Sequence, residues 1–110
     1  MDPLVLGVDL GTSGVRAAVL NQNGVLLYSE PASYSAGLSQ ASDWQEACSR
    51  LIRGIPNTLR QRIAAIAVDG TSGTLLACAV DGSPLGLALL YSEACPEQAA
   101  QLEHPVPEGR

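Results

Sequence analysis

The stretch Val8-Asp9-Leu10-Gly11-Thr12-Ser13-Gly14, with Arg16 just beyond it, most restricts what this chain can fold into. It closes an apolar run, Leu4 to Val8, whose lack of polar interruption reads as a strand buried on both faces. It then turns through two glycines and two hydroxyl residues into a second β-type run, Val15 to Leu20. A carboxylate that ends a buried strand must meet hydrogen bonds, a cation or water, because burying it unpaired is costly. A turn built of small residues lets backbone N–H groups face a ligand as a concave anion-binding nest. A carboxylate for a hydrated metal, with amides and hydroxyls for phosphate oxygens, is nucleotide chemistry. The competing reading is an ordinary hairpin in which Gly11 and Gly14 only supply turn conformations. The P-loop pattern, Gly with four residues and then Gly-Lys-Ser/Thr, is missing, and the chain has no lysine.

Strand one spans Leu4 to Leu10 and strand two Val15 to Leu20. Gln22-Asn23-Gly24 between β-rich runs signals a hairpin, and strand three runs from Val25 toward Tyr34. Three antiparallel strands therefore open the domain, the first interior and the third nearer an edge. Pro31 to Ala41 has no period and reads as a surface loop. Ser42 stands at capping-box spacing from Gln45. Trp44, Ala47, Cys48, Leu51, Ile52 and Ile55 then form one face of a helix. Trp44 could stack on a ligand, but its place on that stripe, like that of Cys48, favours core packing. Gly54 and Pro56 break the helix, and Pro56 to Arg62 reads as a further short helical turn. Ile63 to Val68 is a continuous apolar strand that ends in Asp69-Gly70-Thr71-Ser72-Gly73. Two more short strands are expected, Thr74 to Val80 and Leu85 to Tyr91, around the turn Asp81-Gly82-Ser83-Pro84. Glu97 to Leu102 reads as a short helix.

The fold class expected from this order is α/β: a ribonuclease-H-like unit with a mixed sheet. It opens with three antiparallel strands, and a helical crossover then sets the Ile63–Val68 strand beside strand one and parallel to it. Asp9-x-Gly-Thr-Ser and Asp69-Gly-Thr-Ser would then meet on one sheet edge, where open α/β sheets bind ligands.

Composition narrows the partners. The chain's 110 residues allow one domain at most, and 46% hydrophobic with 15% charged residues is globular usage. A net charge of -5, with every basic residue an arginine, argues against a nucleic-acid surface. No apolar run approaches the roughly 20 residues of a membrane span, and Met1-Asp2-Pro3 lacks the basic start of a secretory signal. Cys48, Cys78 and Cys95 form no C-x-x-C pair, so reduced thiols in the cytoplasm are the simplest reading.

Leu6 to Ala17 resembles the amino terminus of an FGGY-family carbohydrate kinase, a branch of the actin-like ATPase superfamily. The resemblance continues through Ile63 to Ser72, then Asp81-Gly82-Ser83-Pro84-Leu85, then Leu90-Tyr91-Ser92-Glu93. It implies ATP-dependent phosphorylation of a sugar with Mg²⁺, in a two-lobed fold. Asp9 would be the catalytic and metal-orienting carboxylate, holding Mg²⁺ through water. Gly11, Thr12 and Ser13 would cradle the phosphoryl group. Arg16 joins these cofactor-binding candidates, although strand alternation equally allows it to face solvent. Asp69, Thr71, Ser72, Tyr91 and Glu93 would belong to the sugar site. The Asp-Gly-Thr-Ser turn looks more like ketopentose kinases, for D-ribulose or D-xylulose, than like glycerol kinases. Family members carry Asp and Arg where Glu93 and Cys95 stand here, and a thiol cannot clamp an oxygen as arginine does.

By the same resemblance, residues 1–110 are the amino-terminal part of the first, sugar-binding lobe. The catalytic base and the adenosine loop would lie in a second, ATP-binding lobe, so the chain alone is expected to be inactive. A non-catalytic sugar- or nucleotide-binding relative is the competing function. A ribonuclease-H-like metal nuclease could use Asp9 and Asp69, but the acidic, lysine-free surface suits it poorly. Cys78 reads as core, Cys95 as a loop thiol and His104 as a solvated tail residue.

Overall fold

Leu4, Leu6 and Val8 leave one face of β1 (Leu4–Leu10) and are buried, while Val5, Gly7 and Asp9 leave the other and are not. The same alternation in β2 (Gly14–Leu20) buries Val15, Ala17 and Val19. A period of two with one apolar face is what a sheet covered on one side requires. The computed structural model describes residues 2–94 and 96–101, and its sheet has the order β3-β2-β1-β4. β1 is antiparallel to β2, β2 to β3 (Leu26–Ser33), and β4 (Ile63–Gly70) lies parallel to β1. Strand one is interior and strand three is an edge, as the sequence predicts. Pro31 sits on that edge strand, where a missing N–H costs no ladder bond.

Helix α1 (Ala41–Gly54) covers the apolar side of the sheet. Its Ala47 and Leu51, with Ile55 just past its end, close a core with the buried residues of β1 and β2 and with Tyr34. Trp44, Cys48 and Ile52 are half-buried against that core. Ile55 turns extended (φ -64°, ψ 129°), as a residue before proline must. α2 (Asn57–Arg60) follows, and the Arg60 guanidinium donates to the carbonyls of Ile52 and Arg53 (3.4 and 3.0 Å). A cation on the last carbonyls of α1 opposes the negative end of the helix.

Several expectations are corrected. β1 is covered on one face only, and β4 is exposed along its length beyond Ile63, with Ile66 61% and Val68 65% exposed. Among the described residues no element lies over the second face, so an apolar run does not guarantee two-sided burial. Strand pairing carries the segment from Pro31 into β3 as far as Ser33, shortening the predicted loop. The capping box does not form: Gln40 is the N-cap without a side-chain bond, and the Asp43 carboxylate accepts the Ala36 N–H instead. The Asn23-Gly24 turn has positive φ at Gly24 alone (77°). It is held by Asn21 Oδ1, which accepts from Asn23 and Val25 N–H at 2.9 and 3.0 Å, so it is not the two-residue mirror-image turn that Asn-Gly suggests.

The two strands expected at 74–80 and 85–91 are reduced to isolated pairings, Leu75 with Leu89 and Cys78 with Pro84. This arm has little to pack on. Leu75, Leu85, Leu87 and Leu89 are exposed, and so is Cys78, contrary to its expected core position. Ala88 is the exception, buried and donating its N–H to Ser39 O at 2.8 Å. The last helix, α3, covers Pro96–Ala99. Cys95 and His104 lie outside the described residues, as does Leu102 at the expected end of that helix.

Gly14 gives the fold a sharp test. A Cβ there would sit 2.3 Å from the backbone oxygen of Ala32, whereas at Gly7 the nearest atom would be 3.9 Å away. Gly14→Ala should therefore destabilise the chain by about 1–3 kcal/mol, the usual cost of overpacking. Gly7→Ala should be nearly neutral. Urea unfolding of both variants checks the contrast, and equal midpoints would remove the close approach as a constraint.

Candidate functional site

Asp9 is the register partner of Arg16 on β2 and of Asp69 on β4. Register partners share a sheet face, so three charged side chains stand in a row on the uncovered side, at the carboxyl ends of the two parallel strands. All three are exposed. Asp9 is thus not the buried carboxylate that the sequence suggests, because the face it leaves is open to water. Asp69 Oδ1 accepts the Gly70 N–H at 2.9 Å. Arg16 donates to Ser29 Oγ at 3.2 Å, leaning toward β3 along the open face.

The turn after Asp9 is short and tied. Gly11 N–H donates to Gly14 O at 2.8 Å, so that amide is spent within the turn. Neither Gly11 nor Gly14 has a positive φ. Their smallness serves close approach instead, Gly14 against β3 and Gly11 with a would-be Cβ 3.3 Å from Gly14 O. Thr12 and Ser13 are exposed at the tip. A cleft of about 200 Å³ runs from Asp9 past Gly11, Ser13 and Arg16 to Pro31 and Ser33.

Tyr34 holds this turn, and the sequence reading missed it. Its backbone N–H donates to Ser13 O at 3.1 Å and its hydroxyl to Gly11 O at 3.0 Å. Burial raises the Tyr34 pKa above 10.0, and the nearby Cys48 and Asp9 add to the effect. The phenol therefore remains a donor over the whole neutral range. Nothing in the spacing marks it: the residue sits in a stretch of Ser, Ala and Gly without period.

The second segment leaves β4 beside the first. Thr71 N–H donates to Leu10 O at 3.1 Å, continuing the parallel pairing by one residue. Thr71 Oγ1 and Thr74 Oγ1 are 2.8 Å apart and hydrogen-bonded, while Ser72 is exposed. Gly73 takes φ 75°, and a Cβ on it would lie 2.7 Å from Tyr91 Cβ, which puts Tyr91 against this turn. Glu93 is engaged locally, accepting the Leu90 N–H at 3.3 Å. Asp9, Asp69, Thr71 and Tyr91 are thus assembled at one end of the sheet. Glu93 is engaged within its own turn, and Arg16 stands beside Asp9 with its guanidinium bonded to Ser29.

Hard oxygen donors suit Mg²⁺, which is commonly bound by one or two carboxylates together with substrate phosphates and water. Exposed Asp9, with Asp69 beside it and the Thr12 and Ser13 hydroxyls beyond, fits that requirement chemically.

No family model matches the chain. Solved structures do resemble it. The xyloylose kinase of Brucella ovis superposes with a TM-score of 0.76 at 19% identity, over 89% of this chain and 23% of that one. The xylulose kinase of Bifidobacterium adolescentis gives 0.72 at 24% identity, over 90% and 20%. The glycerol kinase of Plasmodium falciparum, solved with ADP, gives 0.69 at 12% identity, over 92% and 24%. The matched part of each structure shares the fold of this chain. The expected ribonuclease-H-like mixed sheet is thus borne out, and the chain spans about a fifth to a quarter of the structures it matches. Among the described residues no helix is long and apolar enough to cross a membrane.

The Tyr34 tie predicts a pH effect with a definite sign. Where the pH lies between the ordinary phenol value and the raised one, the unfolded chain has lost a proton that the folded chain keeps. Stability therefore falls as pH rises above 10.0, the ordinary value. Tyr34→Phe should cost about 1 kcal/mol at neutral pH, the scale of one hydrogen bond. It should also flatten the alkaline decline, leaving the part that the raised Cys48 thiol supplies. Urea midpoints at about pH 8 and about pH 11 test both; an unchanged alkaline slope would remove Tyr34 from the loop's support.

Proposed function

We propose that this chain is the amino-terminal part of the first lobe of an FGGY-family carbohydrate kinase. The polypeptide to which it belongs would transfer phosphate from ATP to a ketopentose, D-ribulose or D-xylulose, in the cytoplasm. The observation that carries the reading is the alignment of Asp9 with Asp69 at the carboxyl ends of β1 and β4, each followed by a turn of glycine and hydroxyl residues. Likeness to xylulose, gluconate and glycerol kinases supports the reading at the level of fold. The free thiols Cys48 and Cys78 fit a reducing compartment.

In this reading Asp9 orients a hydrated Mg²⁺ on the phosphates, while Thr12 and Ser13 cradle the transferred group. Bound Mg²⁺ supplies charge neutralisation for phosphoryl transfer, a reaction that depends chiefly on positioning and electrostatics. Thr71, Ser72 and Tyr91, at the neighbouring turn, contact the sugar. Glu93 would serve the sugar only after leaving its bond to Leu90.

A coupled ADP-release screen of the whole reading frame against ketopentoses, ketohexoses, glycerol and ribitol tests the reaction. ADP formation dependent on a ketopentose is expected, and none with any sugar would overturn the proposal. The 110-residue chain alone should give no ADP above a no-enzyme control. Asp9→Asn in the intact protein should lower turnover at least about a hundredfold, the scale of one preorganised electrostatic group, without unfolding it. Ser72→Ala should lower kcat/KM for the sugar about five- to a hundredfold and leave the KM for ATP nearly unchanged. A lowered melting temperature with normal sugar kinetics would instead make Ser72 a turn residue.

A further inference from the structure

On the helix-covered side of the same sheet end lies a second cleft, of about 190 Å³, lined by Leu10, Tyr34, Leu38, Trp44, Thr71 and Thr74. Its walls are aromatic and aliphatic. The polar tips of both rings are already satisfied: Trp44 Nε1 donates to Leu38 O at 2.7 Å, and the Tyr34 hydroxyl donates to Gly11 O at 3.0 Å. The rings therefore offer apolar surface alone. The unspent polar groups are the Thr71 and Thr74 hydroxyls. Their mutual bond at 2.8 Å uses one donor and one acceptor, so the pair keeps a donor and several acceptor positions.

No charged side chain lines this cleft, which disfavours a phosphate or carboxylate ligand. Its volume falls below the 300 Å³ or so at which drug-sized sites begin, so the occupant is small. Apolar walls with a few convergent hydroxyls suit a molecule with a C–H face and neutral hydroxyls. A sugar has both. Tyr34 forms one wall of the cleft and also ties the turn that follows Asp9, so an occupant would lie next to that turn.

From this we infer that the cleft between Trp44, Tyr34 and the Thr71–Thr74 pair seats the neutral sugar, with Thr74 and Trp44 as specificity-determining residues. The inference rests on the kinase reading and assigns the sugar to the helix side of the sheet end. Thr74 acts by fixing the Thr71 hydroxyl and by contacting the sugar itself. Trp44, expected from the helical stripe to be core, does both jobs, its ring packing on the core and forming a cleft wall.

The test is a ¹⁵N NMR titration of the chain with D-ribulose and D-xylulose, with adenosine as the contrasting ligand. Trp44 is the one tryptophan, so its indole N–H signal is unambiguous. Saturable shifts of that signal and of the Thr71 and Thr74 amides are expected with a ketopentose. Thr74→Val keeps the side-chain shape and should raise the dissociation constant at least about fivefold, while the amide spectrum stays dispersed; if Thr74→Val disperses poorly, Thr71→Val takes its place. Three results would overturn the inference. These are shifts on Gly7, Asp9, Ala67 and Asp69 of the open face, movement of the cleft signals by adenosine where ketopentoses cause none, and no saturable shift up to about 100 mM sugar. The kinase reading is judged separately by ADP release: ketopentose-dependent turnover with unshifted cleft signals would keep the reaction and remove this cleft from it.

Discussion

The register between β1 and β4 is the constraint on which the site depends. Parallel pairing sets Asp9 opposite Asp69 and Leu10 opposite Gly70. A slip of one residue would turn Asp69 to the other face of the sheet and part it from Asp9. Ile63 holds the register, because it is the one residue of β4 that packs against the core cluster. Arg62 fixes the strand's start, donating to Asp2 O at 3.2 and 3.1 Å and accepting the Leu4 N–H at 2.9 Å.

Tyr34 converts that register into a shaped turn. The turn after Asp9 carries no large side chain and could not pack itself. Its support comes from outside, from a residue whose ring is buried in the core and whose two donors reach Ser13 and Gly11. Gly14 makes the arrangement possible by letting β3 approach within a distance that no Cβ would permit. Flexible chemistry thus sits on rigid backing. The exposed groups are the hydroxyls of Thr12 and Ser13, while the atoms that fix their backbone are buried or spent.

Local pattern carried most of the fold. Strand one is legible to its ends because the unbroken apolar run and the glycine turn agree, and α1 is legible because its apolar stripe repeats at helical spacing. What failed depended on neighbours. Ile63 to Val68 is written like a strand covered on both faces, and no residue of that run could reveal that its surroundings here are open. The segments around Leu75 and Leu89 have strand composition, yet pair at isolated points because they lack a packing partner. The Asp9 and Asp69 turns were visible because their residue types are unusual at strand ends. The part played by Tyr34 was not, since it comes from contacts with Gly11 and Ser13, distant in sequence.

The period of two along the strands also sorts chemistry. Asp9 and Asp69 leave β1 and β4 toward the open face, and the next residues, Leu10 and Gly70, belong to the helix side. One step along the chain therefore separates a charged surface from a neutral, aromatic one at the same sheet end. A polyphosphate with its metal needs carboxylate and water, while a polyol needs apolar walls with a few hydroxyls. In the proposed reading the first would lie on the charged side and the second on the neutral side, the two meeting at the strand ends. The Tyr34 side chain is the physical link between them, its ring in the neutral cleft and its hydroxyl on the turn that follows Asp9.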